Sequence, residues 1–414
     1  MLNILKPYRK LESHIVYVIA TAFCLQFINS IFFLALNIYM TKCGYPDYEI
    51  ANFVSYRFLA VVLFAVPFGL FIKGKRLRPI YLLASMSLPI LSLIIIESVE
   101  RHIDWLLQIS LVLWGVSFSG VFISTLPYIL RNANKDTHTE AISLNAASWS
   151  TALIVVGFGV YILSSLAPDF FVDKRLLQFF SCCGFLSLFF ALKMRKDENI
   201  IVKTAENKTD FYKYDWWLIF RAAFPVFMIA LGAGLIIPFM NLFFYHIFDM
   251  DIESFAVLGS TTSILVALGA LLVPKIKERF GYEAITPTQL AAVLMLFLLG
   301  TTDFISHHWF AVYLAIFCYI MRQPLMNLAN PLTSQMTMYY VGKKNQEIMS
   351  AIMSSIWSGS WFFSSQIFRL LREHFDLRYG YICYITASLY LLGVVLYFFL
   401  IKDFRRKEKA GLIV

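Results

Sequence analysis

Two arginines, Arg57 and Arg322, stand deep inside long apolar stretches of the chain. A guanidinium presents five N–H donors in a planar fork that matches carboxylate or phosphate, and it stays charged at physiological pH. The same stretches carry neutral hydrogen-bonding side chains. Gln26 and Asn29 lie three residues apart and share one helical face. Asn327 and Asn330 follow Arg322 on the next turns, beside Pro324 and Pro331, which loosen the backbone. The chemistry of this set is recognition rather than bond making: fixed cations and amides that can hold an anionic group. The acids point the same way by their placement, since the 26 Asp and Glu residues fall in polar connections or near the ends of apolar runs. The bland alternative is that each arginine is neutralised internally, by Glu49 or Glu97 near a helix end, by carbonyls freed at a proline, or by water. No phosphate-cradling glycine loop, nucleophile elbow or metal-ligand spacing stands in the sequence, so no catalytic residue, metal or cofactor is expected.

The elements that position these residues follow from composition. The chain has 414 residues, 59% hydrophobic and only 15% charged, with mean hydropathy +0.69. A soluble domain is about half apolar and about a quarter charged. Exposing the excess to water would cost roughly 25 cal/mol per Å², which excludes a soluble enzyme. The six cysteines mostly lie in apolar runs and read as small hydrophobes. A spanning helix needs about 20 apolar residues. Twelve such runs fall near 14–41, 48–72, 79–98, 104–130, 141–167, 175–194, 215–246, 253–274, 284–302, 307–338, 346–371 and 379–401. The expected fold is all-α integral membrane, with twelve transmembrane helices. Arg57 then lies roughly 14 Å into the second span at 1.5 Å per residue, near the midplane of a ~30 Å core. Arg322 lies at a comparable depth in the tenth.

The chain carries 35 Lys and Arg residues and a net charge of +9. They cluster in alternate connections. The opposite connections hold only Lys42, Arg101, Lys174, Arg175, Arg369, Arg372 and Arg378, and three more, Arg57, Arg221 and Arg322, fall within spans. This bias is a topology signal that places both termini in the cytoplasm, not a nucleic-acid surface.

An offset of about half the length brings out self-similarity. Asn37-Ile-Tyr39 with Asp47 and Glu49 matches Asn241-Leu-Phe243 with Asp251 and Glu253, all at an offset of 204 residues. Glu140, Ser143 and Ser148 match Glu347, Ser350 and Ser355 at 207. Both halves carry a basic hairpin, Lys73-Gly-Lys-Arg-Leu-Arg78 and Lys275-Ile-Lys-Glu-Arg279. The expected units are an N-terminal six-helix bundle over 1–194, a polar cytoplasmic linker over 195–213 and a C-terminal six-helix bundle over 214–414.

Two six-span halves joined by a charged loop resemble the major facilitator superfamily over nearly the whole chain, by architecture more than by signature motifs. Where the family carries Gly-x-Leu-x-Asp-Arg-x-Gly-Arg-Lys between its second and third spans, Pro67 to Arg76 keeps Gly74 and the basic residues, with Phe71 in place of the acid. No arginine precedes Gly115 or Gly120 in the fourth span, and Gly157-Phe-Gly159 stands in the fifth where drug antiporters carry Gly-Pro. The segments Gly232-Ala-Gly234…Pro238-Phe-Met-Asn241 and Arg322-Gln-Pro-Leu-Met-Asn327-Leu-Ala-Asn330-Pro331 are similar to uncharacterised bacterial members.

The resemblance implies a central cavity lined mainly by spans 1, 4, 7 and 10, and a secondary active transporter working by rocker-switch alternating access around a midplane site. Its substrate is a small organic solute, with an anionic group favoured by Arg322 and Arg57. Gln26, Asn29, Asn327, Asn330, Tyr319 and Trp114 complete the expected substrate-binding set; packing between helices is the alternative for each. Asn37 and Asn241, at repeat-equivalent sites, read as structural. Glu140 and Glu347 are expected to meet the basic hairpins, including Lys73 and Arg76, as a gate; a solvated loop end is the alternative. Expected partners are the substrate, the lipid bilayer and a coupling ion, a proton being the candidate; no nucleic acid is expected, and the chain is expected to act as a monomer in a cell inner membrane. The alternative function is efflux of amphipathic compounds such as drugs or siderophore-like molecules, with the many Phe and Met residues as an adaptable wall.

Overall fold

The computed structural model describes residues 11–72, 75–134, 137–198, 214–342 and 345–410, which form helices and turns without a strand. Twelve helical rods follow one another: α1 Ser13–Lys42, α2 Asp47–Phe71, α3 Arg78–Glu100, α4 Asp104–Asn132, α5 His138–Leu166, α6 Asp173–Lys193, α7 Trp216–Phe248, α8 Ile252–Phe280, α9 Ile285–Phe304, α10 Ala311–Val341, α11 Gln346–Glu373 and α12 Tyr379–Lys409. Each overlies one of the twelve apolar runs. Ten qualify as spans by length and apolarity alone. The largest differences in extent are at the ends of α8 and α12, where basic residues continue the helix past the apolar core. A helix satisfies every backbone group internally, and this is why an apolar span folds as one.

Three rods are interrupted. α1 passes through a π-helical turn at Phe32–Leu36 and resumes at Asn37. α7 passes through a 3-10 turn at Ile237–Phe239 before Met240–Phe248. The 204-residue offset lays these two breaks over each other; Asn37 follows the first at once, and Asn241 follows the second after Met240. In α7 the cause is Pro238, which cannot donate to the helical ladder; α1 has no proline there, and the wider turn itself makes the break. The third interruption, in α6, splits it into Asp173–Cys183 and Leu186–Lys193 around Gly184. A Cβ on Gly184 would meet Ile28 Cδ1 of α1 at 2.5 Å.

The chain forms two compact units, Met1–Glu206 with Asp251–Ser260, and Asn207–Met250 with Thr261–Val414. In the first, α1 packs on α5 and α6, and α4 packs on α2 and α3. In the second, α7 packs on α11 and α12, and α9 on α10 and α12. The pairs α1/α5, α1/α6 and α3/α4 recur as α7/α11, α7/α12 and α9/α10, so the sequence repeat is also a packing repeat. Lipid tails are as apolar as side chains, so such packing relies on close backbone approach at small residues. Gly115 is one site: its Cβ would sit 2.5 Å from the Arg57 carbonyl and 2.8 Å from Ala60 Cβ, so α4 lies directly on α2 at that level. Gly157 is another, with the Ala256 carbonyl at 2.5 Å from its Cβ position within the first unit. Large side chains such as Leu83 and Phe122 point outward on the opposite faces, as lipid-facing positions do.

Ion pairs and caps fix the rod ends. Lys42 pairs with Asp173 at 2.8 Å and Asp251 at 3.5 Å, and Lys174 pairs with Glu97 at 2.8 Å. Before α1, the Glu12 carboxylate accepts from Asn134 N–H at 2.9 Å and from the Thr137 hydroxyl. Burial works to raise its pKa, and these hydrogen bonds outweigh burial, leaving it below the usual glutamate value. Asp215 caps α7, accepting from Leu218 N–H at 3.0 Å while its own N–H donates to Asn345 Oδ1.

The connection between α2 and α3 is held from both sides. Arg131 of α4 donates to the carbonyls of Ile72 and Lys75, at the electronegative end of α2. The buried Glu198 accepts from the N–H groups of Leu77 and Arg78, at 2.7 and 2.6 Å, at the electropositive start of α3. A carboxylate at that position satisfies orphan donors and the helix dipole together. Glu198→Ala is expected to lower stability by about 1–2 kcal/mol, and Glu198→Gln by less, because one acceptor remains. Thermal melting in detergent checks this; equal melting points for wild type and Glu198→Ala would refute the capping role.

Candidate functional site

Each unit holds an arginine cluster. In the first, Arg57 sits mid-way along α2, half-buried. Its Nη2 donates to Asn29 Oδ1 at 3.0 Å, and Asn29 Nδ2 in turn donates to Gln26 Oε1 at 3.2 Å. The guanidinium carbon lies 4.4 Å from the ring centre of Trp114 and 6.0 Å from that of Phe32. Gly115 makes this possible, since the close approach of α4 to α2 brings Trp114 under the guanidinium. Trp114 is itself held in place. It stacks with Phe32 at 5.8 Å and with Phe118 at 4.9 Å, and its indole N–H donates to Ser92 Oγ at 2.9 Å. Phe32 opens the π turn of α1, so the break in α1 contributes a wall of the cluster.

No carboxylate pairs with Arg57 among the described residues. Glu97 is engaged elsewhere, by Lys174 and by Arg101 at 3.6 Å. A charged side chain at the centre of a span costs about 2.5–3.5 kcal/mol on insertion scales. A desolvated cation–π contact returns about 2 kcal/mol and one hydrogen bond to a charged group about 1.5–3 kcal/mol. The neutral partners thus offset the cost of placing the charge without cancelling its field, and Arg57 Nε is left with no partner.

In the second unit Arg322 is 1% exposed. Its Nη2 donates to the Tyr390 hydroxyl of α12 at 3.0 Å, while Nε and Nη1 have no hydrogen-bond partner. Gly232 of α7 admits the Tyr390 ring, which would meet a Cβ there at 2.9 Å. The acid at the end of α9, Asp303, is taken by Arg378 at 2.7 Å and by Gly380 N–H. Arg322 therefore has no carboxylate partner either, among the described residues. The two asparagines of α10 have partners and surroundings of their own. Asn327 donates to the Gln323 carbonyl at 2.9 Å. Asn330 lines a cavity of about 170 Å³ with Gln289, Thr333, Ser334, Trp357 and Tyr397. Tyr319 is buried edge-on against Phe244 at 5.5 Å.

The structure thus brings Arg57, Asn29, Gln26 and Trp114 into one connected group, and it sends Asn327 and Asn330 to surroundings different from that of Arg322 along α10. Asn37 and Asn241 are buried, 4% and 2% exposed, within two residues of the ends of the two helix breaks. Glu140 lies in the first turn of α5 with Oε2 buried and unpartnered, and Arg76 is exposed. Lys73 and the Glu347 side chain lie outside the described residues. Sequence reasoning missed Ser92, Tyr390 and Gln289. Gln289 was visible as a lone amide in an apolar span, and its Oε1 is buried without a partner. Tyr390 is one of many span tyrosines, and nothing in sequence separates it from the others. No group of three or more metal-ligating side chains occurs among the described residues.

Twelve helical rods, ten of them long and apolar enough to cross a membrane among the described residues, make this a multi-pass membrane protein. The chain belongs to the Major Facilitator Superfamily, whose family model matches residues 18–365. Among solved structures it resembles a bacterial homologue of the iron transporter ferroportin, at 13% identity and TM-score 0.70, covering 94% of this chain and 98% of that one. It also resembles the nucleoside transporter NupG, at 15% identity and TM-score 0.69, covering 95% and 99%. A third is a bacterial homologue of the human lysosomal transporter Spinster, at 12% identity and TM-score 0.68, covering 96% and 97%. At these identities the likeness shows the fold. No curated protein matches the chain.

The Tyr390 hydroxyl accepts a hydrogen bond from the buried Arg322 guanidinium, whose other nitrogens have no such partner among the described residues, so its loss is costly. Tyr390→Phe is expected to destabilise the protein by about 1.5–3 kcal/mol, the range for hydrogen bonds to charged groups. The Arg322→Met background should remove that penalty, because the charge needing the hydroxyl is gone. A double-mutant cycle from melting curves tests this; additive effects would refute the coupling.

Proposed function

We propose that this chain is a secondary active transporter that moves a small organic solute bearing an anionic group, by rocker-switch alternating access. One observation carries the reading: two span arginines, Arg57 and Arg322, are held by neutral partners alone. A guanidinium left uncompensated in a low-dielectric span keeps a positive field, and an anion relieves it. Asn29 and Gln26 supply amide hydrogen bonds beside Arg57, and Trp114 supplies a rigid face. In the second unit Arg322 and Tyr319 are the corresponding recognition residues, with Asn330 in a separate cavity beside Gln289. The solved relatives named as nucleoside, xylose and peptide-type transporters support an organic solute as the substrate class. The basic bias of alternate connections supports cytoplasmic termini, and a cell inner membrane is the site of action that accords with this family resemblance.

The test is thermal stabilisation of the purified full-length protein by a charge-sorted panel of carboxylates, phosphate esters, neutral sugars and cationic amphiphiles. A ligand that binds only the folded state stabilises it by about 2.7 kcal/mol at a hundred times its Kd. Carboxylates or phosphate esters are expected to raise the melting temperature of wild type. Arg57→Gln is expected to weaken that response about tenfold or more, as removal of one charge-assisted hydrogen-bonding group does. If only cationic or neutral amphiphiles stabilise, and Arg57→Gln and Arg322→Gln retain the response, the efflux reading replaces this one.

A further inference from the structure

The end of α12 carries a cationic cluster separate from the Arg57 and Arg322 groups. A cavity of about 590 Å³ opens beside α7 and α12, lined by Arg221, Phe399, Lys402, Asp403, Arg405, Arg406 and Lys409. Five basic side chains face it against one carboxylate. That carboxylate is already occupied: Asp403 accepts from the Tyr340 hydroxyl at 2.7 Å and pairs with Arg221 and Lys407, each at 3.5 Å. Arg405 is likewise taken, by Glu283 at 3.4 Å and Glu408 at 3.2 Å. Lys402, Arg406 and Lys409 are exposed and have no ion pair among the described residues.

These three free cations follow at i, i+4 and i+7, so they form one stripe on α12. The stripe continues toward the middle of the span as exposed apolar side chains, Phe399 at 60%, Val395 at 42% and Leu392 at 45%. On one helix face, apolar surface thus passes directly into unpaired positive charge, at the depth where a span leaves the hydrocarbon. Soluble anions need the charge but not the apolar strip below it. A phospholipid has both parts in this order: acyl chains beside Leu392, Val395 and Phe399, and a phosphate at Lys402, Arg406 and Lys409.

We propose that this face of α7 and α12 is a binding site for an anionic phospholipid. The phosphate is held by Lys402, Arg406 and Lys409, with Arg221 at the rim, and an acyl chain lies along Phe399 and Val395. Basic clusters at a membrane interface attract anionic lipid by an amount that corresponds to about fivefold in affinity per cation.

Native mass spectrometry of the full-length protein, titrated with phosphatidylglycerol or phosphatidylcholine, tests the site. Wild type is expected to retain phosphatidylglycerol in preference to phosphatidylcholine. The triple variant K402Q/R406Q/K409Q is expected to bind phosphatidylglycerol on the order of a hundredfold more weakly, and R406Q alone about fivefold more weakly. R195Q/K196Q, which removes exposed charge elsewhere, is expected to bind as wild type does. The substituted residues make no ion pair among the described residues, so the variants should melt as wild type does in detergent. Inorganic phosphate and glycerol phosphate form the second arm. If either competes at the concentration at which the lipid binds, the site takes a free phosphate and the lipid assignment falls. Unchanged phosphatidylglycerol binding by the triple variant, or an equal loss in R195Q/K196Q, would also overturn it.

Discussion

A guanidinium inside a membrane span is the constraint on which the rest of this structure turns. Such a group needs hydrogen-bond acceptors and a counter-field, and hydrocarbon supplies neither. The usual remedy is a carboxylate on a neighbouring helix. Here Glu97 and Asp303 stay at the rod ends, paired with Lys174 and Arg378. Arg57 is left with an amide and an indole face, and Arg322 with a phenol. The stability is weaker than an ion pair would give, and the positive charge remains available to a ligand.

The helices are shaped around these groups. Gly115 sets α4 on α2 so that Trp114 reaches Arg57, and Gly232 opens α7 to the ring of Tyr390. The π turn in α1 and the 3-10 turn in α7 occupy equivalent repeat positions. Each locally weakens the helical ladder next to a buried asparagine. One repeat achieves this with Pro238 and the other without a proline, so the position of the break, and not the residue causing it, is what the two halves share.

Much of the fold was legible in sequence because a spanning helix leaves a strong signature. Twelve apolar runs foretold twelve rods, and the asparagine repeat foretold equivalent helix pairs. The break in α6 at Gly184, which lies close against Ile28 of α1, was not read from the sequence. The site was legible in part. Gln26 and Asn29 were placed on one face by spacing, and they do meet. That Arg57 joins them depends on α2 lying beside α1, and periodicity does not encode which face of one rod meets another. Arg322, Asn327 and Asn330 were grouped by nearness in sequence, but successive turns of a helix point different ways. The structure sends Arg322 to Tyr390 and Asn330 to the Gln289 cavity.

The central claim is that Arg57 retains an uncompensated charge that an anionic solute satisfies. Its most direct test is Asn29→Asp, which places a carboxylate where an amide oxygen now lies 3.0 Å from the guanidinium. The variant's melting temperature and its response to stabilising anions are measured together. The account predicts a protein at least as stable as wild type that no longer responds to anions, because the internal carboxylate takes their place. An Asn29→Asp protein that folds normally and keeps the full anion response would contradict it.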